Sequence, residues 1–369
     1  MPQLAHLQSL EFQAMGCHNQ VHLNIGQASS YVTFEQIQAH LTTLKQSIQH
    51  KLDYWESVFS RFDKDSELMR LNSCTEQWIT VSEALYQVLQ KSVDFHQTTQ
   101  GRVTPTLLKS IQHLGYEQSL ETLTKHKLGV SNTEQSANSP RIDTDILLQQ
   151  ADKSCEYQST IRQRIQLRKV TNEAENTYQV YITSDTAIDL NGYVKGWAAN
   201  KLAYDISHHD TLPLPCLVDL GGDIAIGTVD GSTINWPVAV EAPYLSSLSG
   251  KNTLSDKDVA IIRLTTGAIA TSGQDYRRWW HKGKPHHHII DPYSRVSAQS
   301  DLLTVTIIGE DTLTAEVWAK YCLIVGQHKA LSHLNHKRIA GLIINTQGQV
   351  LLSSAMTPYI VQESLCHSL

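Results

Sequence analysis

The order of strand-like and helix-like segments constrains the fold of this chain more than any single motif does. Residues 187–207 read as a strand, a glycine turn and a helix, and residues 216–231 as a strand, a Gly-Gly turn and a second strand. The remaining predicted elements of this half are strands at 236–243, 259–272 and 302–309, a helix at 314–326 and a hairpin at 338–354. Strands and helices do not alternate regularly, so we predict an α+β fold with mixed sheets flanked by helices.

The first half of the chain contains the clearest helix pattern. Between residues 34 and 59, apolar side chains recur at helical spacing and form one stripe: Ile37, Leu41, Leu44, Ile48, Leu52, Trp55 and Phe59. Asp65 or Ser66 can cap a short second helix, and Ser82 opens an amphipathic helix that runs to residue 98. Helices therefore dominate residues 34–98.

Predicted strands flank a polar segment. Residues 10–25 indicate a strand pair interrupted at Met15-Gly16, and residues 165–170 and 177–183 indicate a second pair. Residues 117–150 are rich in Ser, Thr, Asn and Gln, which is typical of an exposed insertion. A length of 369 residues allows two domains or one large domain with two lobes.

Composition narrows the classes of protein. The formal charge of −6 argues against nucleic-acid binding, which normally requires a basic face. No segment approaches the roughly 20 apolar residues of a membrane span. Six scattered cysteines without a Cys-x-x-Cys pair fit free thiols in a reducing compartment, and the first residues lack a signal-like pattern. We therefore expect a cytoplasmic protein.

Two glycine-containing turns are candidates for binding a phosphate. Asp189–Gly196 joins a predicted strand to a helix, where the helix N-terminus and Lys195 favour an anion. Asp219–Ile224 contains a Gly pair whose backbone can lie against a flat or phosphorylated ligand. Neither spacing matches the dinucleotide or P-loop fingerprint, and each segment is equally compatible with an ordinary turn.

The densest polar stretch is residues 270–296. It contains a Thr-Ser-Gly turn (Thr271–Gly273), two arginines, aromatic residues that can stack on a ring or belong to the core, and three consecutive histidines. Three adjacent histidines do not easily ligate one metal ion, so a zinc site is not favoured. If residues 286–290 form a strand, His286 and His288 share a face. His288 is then a candidate base or hydrogen-bond donor, with Asp291 in support.

Taken in order, these segments resemble the FAD:protein FMN transferase (ApbE-like) family. The motifs that carry the resemblance are Met15-Gly16, 59–72 (FSRFDKDSELMRLN), 104–106 (TPT), 188–196 (IDLNGYVKG), 218–224 (VDLGGDI), 270–280 (ATSGQDYRRWW) and 287–292 (HHIIDP). They span about 280 residues in the family's order. The resemblance is therefore much more specific than any one motif.

The resemblance implies a single α+β domain over residues 1–369 that binds FAD. Family members use Mg²⁺ to move FMN from FAD to a Thr or Ser of a target protein with release of AMP, and some hydrolyse FAD to FMN and AMP. An acceptor flavoprotein with a Thr/Ser motif is the implied partner, with no nucleic acid and no membrane span.

The resemblance also assigns roles by position. The residues implied to line the flavin nucleotide are Met15, Lys195, Gly196, Gly222, Asp223, Thr271, Ser272 and Gly273. Asn72 and His288 are implied to lie near the reacting phosphate, with Asp291 supporting them. The Mg²⁺ ligands are implied to be the Val194 carbonyl and Glu316.

This chain departs from the family at the metal site. The family helix carries an Asp and, four residues on, an oxygen-bearing side chain, where this chain has Glu316 and Lys320. Spacing alone indicates an ordinary ion pair. A protonated lysine cannot ligate Mg²⁺, but it can pair with Glu316 or partly neutralise the pyrophosphate. Two interpretations follow: a Mg²⁺-dependent FMN transferase, or a family member with a degenerate metal site that binds FAD without transferring it or only hydrolyses it.

Overall fold

The computed structural model describes residues 6–117, 161–171, 176–243, 258–275 and 277–366. From residue 118 onward, the predicted polar insertion lies outside these ranges. The chain divides into a first unit (Met1–Ser60, Leu190–Tyr276 and Ser300–Leu369) and a second unit (Arg61–Asp189 and Arg277–Gln299). The expectation of a single domain over 1–369 stays a prediction.

The described strands are β1 (Leu7–Ala14), β2 (Cys17–Asn24), β3 (Trp78–Val81), β4 (Ile165–Thr171), β5 (Asn176–Ile182), β6 (Cys216–Leu220), β7 (Ile224–Gly227), β8 (Trp236–Glu241), β9 (Asp258–Leu264), β10 (Gly267–Gly273), β11 (Arg278–His281), β12 (Lys284–His287), β13 (Leu302–Gly309), β14 (Ala340–Asn345) and β15 (Val350–Leu352). The described α-helices are α1 (Phe34–Phe59), α2 (Glu67–Ser73), α3 (Glu83–Thr98), α4 (Leu108–His113), α5 (Ile161–Arg164), α6 (Val194–Ser207), α7 (Thr312–Val325) and α8 (Gln327–Lys337).

An antiparallel sheet forms the centre of the first unit. Its strand order is β1-β2-β6-β7-β10-β13-β14-β15, and helices α6 and α7 pack against its central strands. Alternate residues of the same strands, including Leu217, Ile226 and Ile308, join an apolar cluster with the β8–β9 pair. Because both faces of the central strands are covered, β13 and β14 are almost entirely buried rather than alternating.

The second unit contains a three-stranded antiparallel sheet in the order β3-β5-β4, the β11–β12 hairpin and helices α2 to α5. Trp279 of the hairpin is buried with Tyr116, and its indole N–H donates to the Leu114 carbonyl at 2.6 Å. The structure therefore has the predicted α+β class. None of the helices in the described ranges combines the length and apolarity that a bilayer crossing requires.

Local sequence patterns predicted several elements correctly. Helix α1 covers the predicted residues 34–59, and its start carries a capping box between Thr33 and Gln36. Ser66 and Ser82 cap α2 and α3. The interruption predicted between the first two strands is a tight β1–β2 turn at Met15 and Gly16.

Three local predictions were wrong. Ala187–Leu190 is not a strand, because its backbone bonds to Asn72 and to the Pro105 carbonyl rather than to a neighbouring strand. Thr271–Gly273 is not a turn but the end of β10, paired with β13. The strand expected over residues 286–290 ends at His287.

Candidate functional site

The first unit holds a buried ion pair between Lys195 and Asp223. Lys195 lies in the first turn of α6, and Asp223 follows the tight turn between β6 and β7. The Lys195 ammonium donates to Asp223 Oδ2 at 2.5 Å, and the two side chains are 17% and 3% exposed. Burial removes both charges from water, so each depends on the other for compensation.

The two charges respond differently to this environment. Burial raises the pKa of Asp223 to about 6, against the opposing effect of Lys195, so the carboxyl is largely ionised at neutral pH. Burial acts to lower the pKa of Lys195, but the carboxylates of Asp223 and Glu316 outweigh burial and raise it. At neutral pH the pair is therefore ionic.

The turn before Asp223 requires glycine for its backbone. Gly221 and Gly222 have φ of +68° and +92°, a left-handed conformation that side chains rarely adopt. The Gly222 N–H donates to Asp219 Oδ1 at 2.7 Å. A Cβ on Gly222 would meet nothing within 4 Å, whereas one on Gly221 would lie 2.9 Å from Cys17 Sγ. Gly222 therefore presents its backbone to open space.

A second buried ion pair joins Glu316 and Lys320 on α7. The Lys320 ammonium donates to Glu316 Oε1 at 2.5 Å and to the Gly192 carbonyl oxygen at 3.0 Å. The Glu316 and Lys320 side chains are 4% and 16% exposed. Glu316 is thus buried and Lys320 partly buried, whereas the spacing alone indicated an ordinary ion pair.

Gly196 connects the two ion pairs. Its N–H donates to Glu316 Oε2 at 3.3 Å. A Cβ at this position would lie 2.8 Å from the Leu313 Cα, so only glycine lets α6 approach α7 this closely. Of the residues implied by the resemblance, Lys195, Gly196, Asp223 and Glu316 therefore form one network. We call this network with Lys320 the charge cluster.

The charge cluster does not fit Mg²⁺ as it stands. Mg²⁺ requires about six oxygen ligands at roughly 2.0–2.1 Å. Both Glu316 oxygens already accept hydrogen bonds, one from the Lys320 ammonium and one from Gly196. Within the described residues, no group of three or more His, Cys, Asp or Glu side chains could hold a metal. The ligand role of Val194 stays a prediction, and the carbonyl that contacts Lys320 is that of Gly192.

Met15 and Thr271 have hydrogen-bond partners of their own, and Ser272 and Gly273 pair with β13. Met15 has φ of +54°, and its N–H donates to Glu56 Oε2 at 3.1 Å. Thr271 is exposed and shares a hydrogen bond of 2.8 Å with Thr306 across the sheet, while Ser272 is buried. Their roles in lining a nucleotide stay predictions.

Asn72 in the second unit makes its two shortest hydrogen bonds to backbone atoms. Its Nδ2 donates to the Ile188 carbonyl at 2.9 Å, and its Oδ1 accepts from the Ile188 N–H at 2.7 Å. This reciprocal pair imitates a strand contact and fixes the segment that leads to Asp189. Its predicted role near a phosphate is a separate property and stays a prediction.

Asp291 and the histidines also lie in the second unit. Asp291 Oδ1 accepts from the Tyr293 N–H at 3.0 Å and from Arg102 at 3.5 Å, which stabilises the turn that follows. Of the three consecutive histidines, His287 is the buried one, and its Nε2 lies 2.9 Å from the Ala298 carbonyl. Burial lowers the pKa of His287 to about 4. His288 is partly exposed, and its catalytic role stays a prediction.

Sequence reasoning missed two contacts. Arg61, with a side chain 1% exposed, lies 3.6 Å from Asp189 and donates to the Tyr116 carbonyl at 2.8 Å. Lys320 reaches Gly192 across 128 positions of sequence. The sequence signals near these contacts are a Gly-rich turn and a lysine four residues after a glutamate. Neither signal identifies which residue the side chain contacts.

The fold and the charge cluster describe an α+β protein whose charged residues lie at the N-terminus of α6 and at the glycine turn between β6 and β7. A comparison with protein families makes the assignment specific. The model of the ApbE family matches residues 15–343, and the chain belongs to that family.

Individual relatives agree with this assignment. The FAD:protein FMN transferase of Escherichia coli K12 is 24% identical over 329 residues, covering 87% of this chain and 82% of that protein. The protein of the same name from Chlamydia trachomatis is 27% identical, covering 86% and 85%. Among solved structures, the Thermotoga maritima ApbE protein has a TM-score of 0.65 at 20% identity, covering 96% of this chain and 99% of that chain. The Vibrio cholerae flavin transferase ApbE gives 0.64 at 20%, with the same coverage.

Proposed function

We propose that this chain binds FAD and transfers its FMN half to a threonine or serine of an acceptor protein, releasing AMP. The observation that carries the proposal is the family match over residues 15–343, which includes every candidate site residue. The curated relatives that match at this length are named FAD:protein FMN transferase.

The proposed reaction is a phosphoryl-type transfer. The acceptor hydroxyl oxygen bonds to the FMN phosphorus, the phosphorus–oxygen bond to AMP breaks, and AMP leaves with the bonding electron pair. The hydroxyl proton passes to a base, a role that we assign to His288. Such reactions depend mainly on positioning and charge neutralisation. Lys195 supplies a cation for the pyrophosphate, and Asp223 holds Lys195 in place.

Mg²⁺ dependence, which the resemblance implies, is not part of this proposal. In metal-dependent members the ion would neutralise the phosphates, but the Lys320 contacts disfavour that arrangement here. The same contacts favour a second candidate function: a family member that binds FAD without transferring it, or that only hydrolyses it to FMN and AMP. Cytoplasmic location stays a prediction, to be tested by cell fractionation.

One incubation separates these functions. The purified protein is mixed with FAD and a threonine-motif acceptor peptide, and the peptide mass and AMP release are followed. Transfer predicts an FMN adduct on the peptide together with equimolar AMP. Hydrolysis predicts AMP and free FMN without an adduct, and binding alone predicts neither product. Lack of FAD retention in an absorbance titration would contradict both candidates.

A further inference from the structure

The Lys320 ammonium fills a position built from oxygen atoms. Its two hydrogen bonds within the described residues go to Glu316 Oε1 and the Gly192 carbonyl. A charged carboxylate and a backbone carbonyl are the oxygen ligands that hard cations prefer. The cation at this position is therefore part of the chain itself.

Glycine at position 192 leaves room for this arrangement. A Cβ there would lie 3.1 Å from both Cε and Nζ of Lys320, closer than ordinary contact. The lysine stem thus lies directly against the turn that precedes α6. An ammonium has three N–H donors. Two point to Glu316 and Gly192, and the side chain keeps 16% exposure through which a further oxygen can approach.

The charge cluster is electrically balanced without an added ion. It contains the cations Lys195 and Lys320 and the anions Asp223 and Glu316, and the carboxylate of Glu316 also acts on Lys195. A divalent ion entering here would have to displace the Lys320 ammonium from Glu316, which would leave a partly buried lysine without its carboxylate. Removing one partner of a buried pair is strongly unfavourable.

We infer that Lys320 is a tethered cation that takes the position of a divalent metal ion, so that this chain binds the phosphates of FAD without one. The phosphate ligand is taken from the proposed function, whereas the occupation of the cation position is independent of it. Lys320 is thereby a binding residue for FAD, and its ammonium supplies the third N–H to a phosphate oxygen.

The test uses two titrations of the full chain. Mg²⁺ is titrated into the FAD-free protein by calorimetry, and FAD is titrated by fluorescence quenching in Mg²⁺ and in EDTA. We expect no Mg²⁺ binding by the wild type and the same FAD affinity in both buffers. Lys320→Thr, which replaces the ammonium by a hydroxyl, should weaken FAD binding in EDTA by about tenfold or more and gain Mg²⁺ binding.

Controls keep the result interpretable. Lys320→Met removes the charge without adding an oxygen. This variant should therefore lose FAD affinity in EDTA, and Mg²⁺ should restore less of that affinity than it does for Lys320→Thr. Lys201→Thr removes a half-exposed i,i+4 pair with Asp205 and should change neither titration. Circular dichroism and a melting curve identify any variant that fails to fold, and the wild-type titrations still decide the question.

The outcomes separate the inference from the proposed function. Mg²⁺ binding by the wild type, or loss of FAD binding in EDTA, would overturn the tethered cation. Failure of the wild type to bind FAD in either buffer would overturn the proposed function. In that case the Mg²⁺ titration alone tests the tethered cation. Mg²⁺ binding by Lys320→Thr but not by the wild type would support it.

Discussion

The charge cluster of the first unit and two polar side chains of the second unit, Asn72 and His287, are satisfied in different ways. In the first unit, Lys195, Asp223, Glu316 and Lys320 pair side chain with side chain. In the second unit, Asn72 and His287 direct their side chains to backbone atoms. The first arrangement places four charged side chains next to one another, whereas the second holds backbone segments in position.

This difference suggests different roles for the two groups: the charge cluster binds the ligand, and Asn72 and His287 stabilise the fold. Buried ion pairs contribute little net stability compared with apolar packing of the same volume, so we expect the charge cluster to serve ligand binding. Side chains bonded to backbone atoms satisfy groups that burial would otherwise leave unpaired. We therefore expect substitutions in the first group to change FAD binding as well as stability, and those in the second to change stability alone.

The largest effect is expected for Lys195→Met. It leaves Asp223 as an uncompensated buried carboxylate, which should cost about 3–5 kcal/mol of unfolding free energy in urea titrations. Lys195→Met combined with Asp223→Leu should recover most of that stability but not FAD affinity. Lys201→Met, at an exposed pair, should cost less than about 1 kcal/mol. If FAD affinity recovers in the double variant, the pair has only a structural role.

The next effect concerns pH and His287. Its pKa is lowered from 6.5 to about 4 by burial, so the unfolded chain binds a proton at higher pH than the folded chain does. Stability from the neutral ring is therefore full above about pH 6.5 and falls as the pH drops toward 4, by up to about 3 kcal/mol.

Comparison with His287→Gln isolates this contribution. The raised pKa of Asp223 acts in the opposite direction between its ordinary value of 3.8 and about 6, and the subtraction removes it. We expect the variant to show a smaller loss of unfolding free energy between pH 6.5 and 4. Parallel pH profiles for the two proteins would contradict the assignment.

Asn72→Leu should have an intermediate effect. It removes both partners of the Ile188 backbone groups, and leaving them unpaired should cost about 2 kcal/mol. Asn72→Asp keeps the acceptor for the Ile188 N–H and should lose less. Chemical denaturation measures the unfolding free energy of both variants. Equal losses would indicate that only the bond from Asn72 Nδ2 to the Ile188 carbonyl contributes to stability.

Gly222→Ala should have the smallest effect on stability. No atom lies within 4 Å of the added Cβ, so the cost arises only from φ of +92° and should be about 1 kcal/mol. Gly222→Asn should cost less, because asparagine tolerates this region better. A loss of FAD affinity larger than the loss of stability would indicate close approach of the ligand to this turn.

Sequence predicted the elements that depend on local chemistry. The apolar spacing of α1 and the serine caps of α2 and α3 are properties of a few neighbouring residues. The strand assignment for Ala187–Leu190 failed because a distant side chain, that of Asn72, takes the backbone bonds that a strand would use. Thr271–Gly273 looked like a turn, but pairing with Thr304–Thr306 of β13 holds these residues extended.

The residues of the charge cluster were named from the sequence, but their contacts were not. Motif order identified Lys195, Asp223 and Glu316, whereas spacing alone indicated an ordinary ion pair for Glu316 and Lys320. Burial of that pair depends on the packing of α6 against α7 at Gly196. The Gly192 contact depends on the same packing, which no local pattern records.

The most direct test is a crystal structure of the FAD complex grown with Mg²⁺. The tethered cation predicts Lys320 Nζ about 2.8 Å from a pyrophosphate oxygen, still bonded to Glu316 and Gly192, with no ion bridging Glu316 and the phosphates. A six-coordinate ion between Glu316 and the pyrophosphate, with Lys320 displaced, would contradict it.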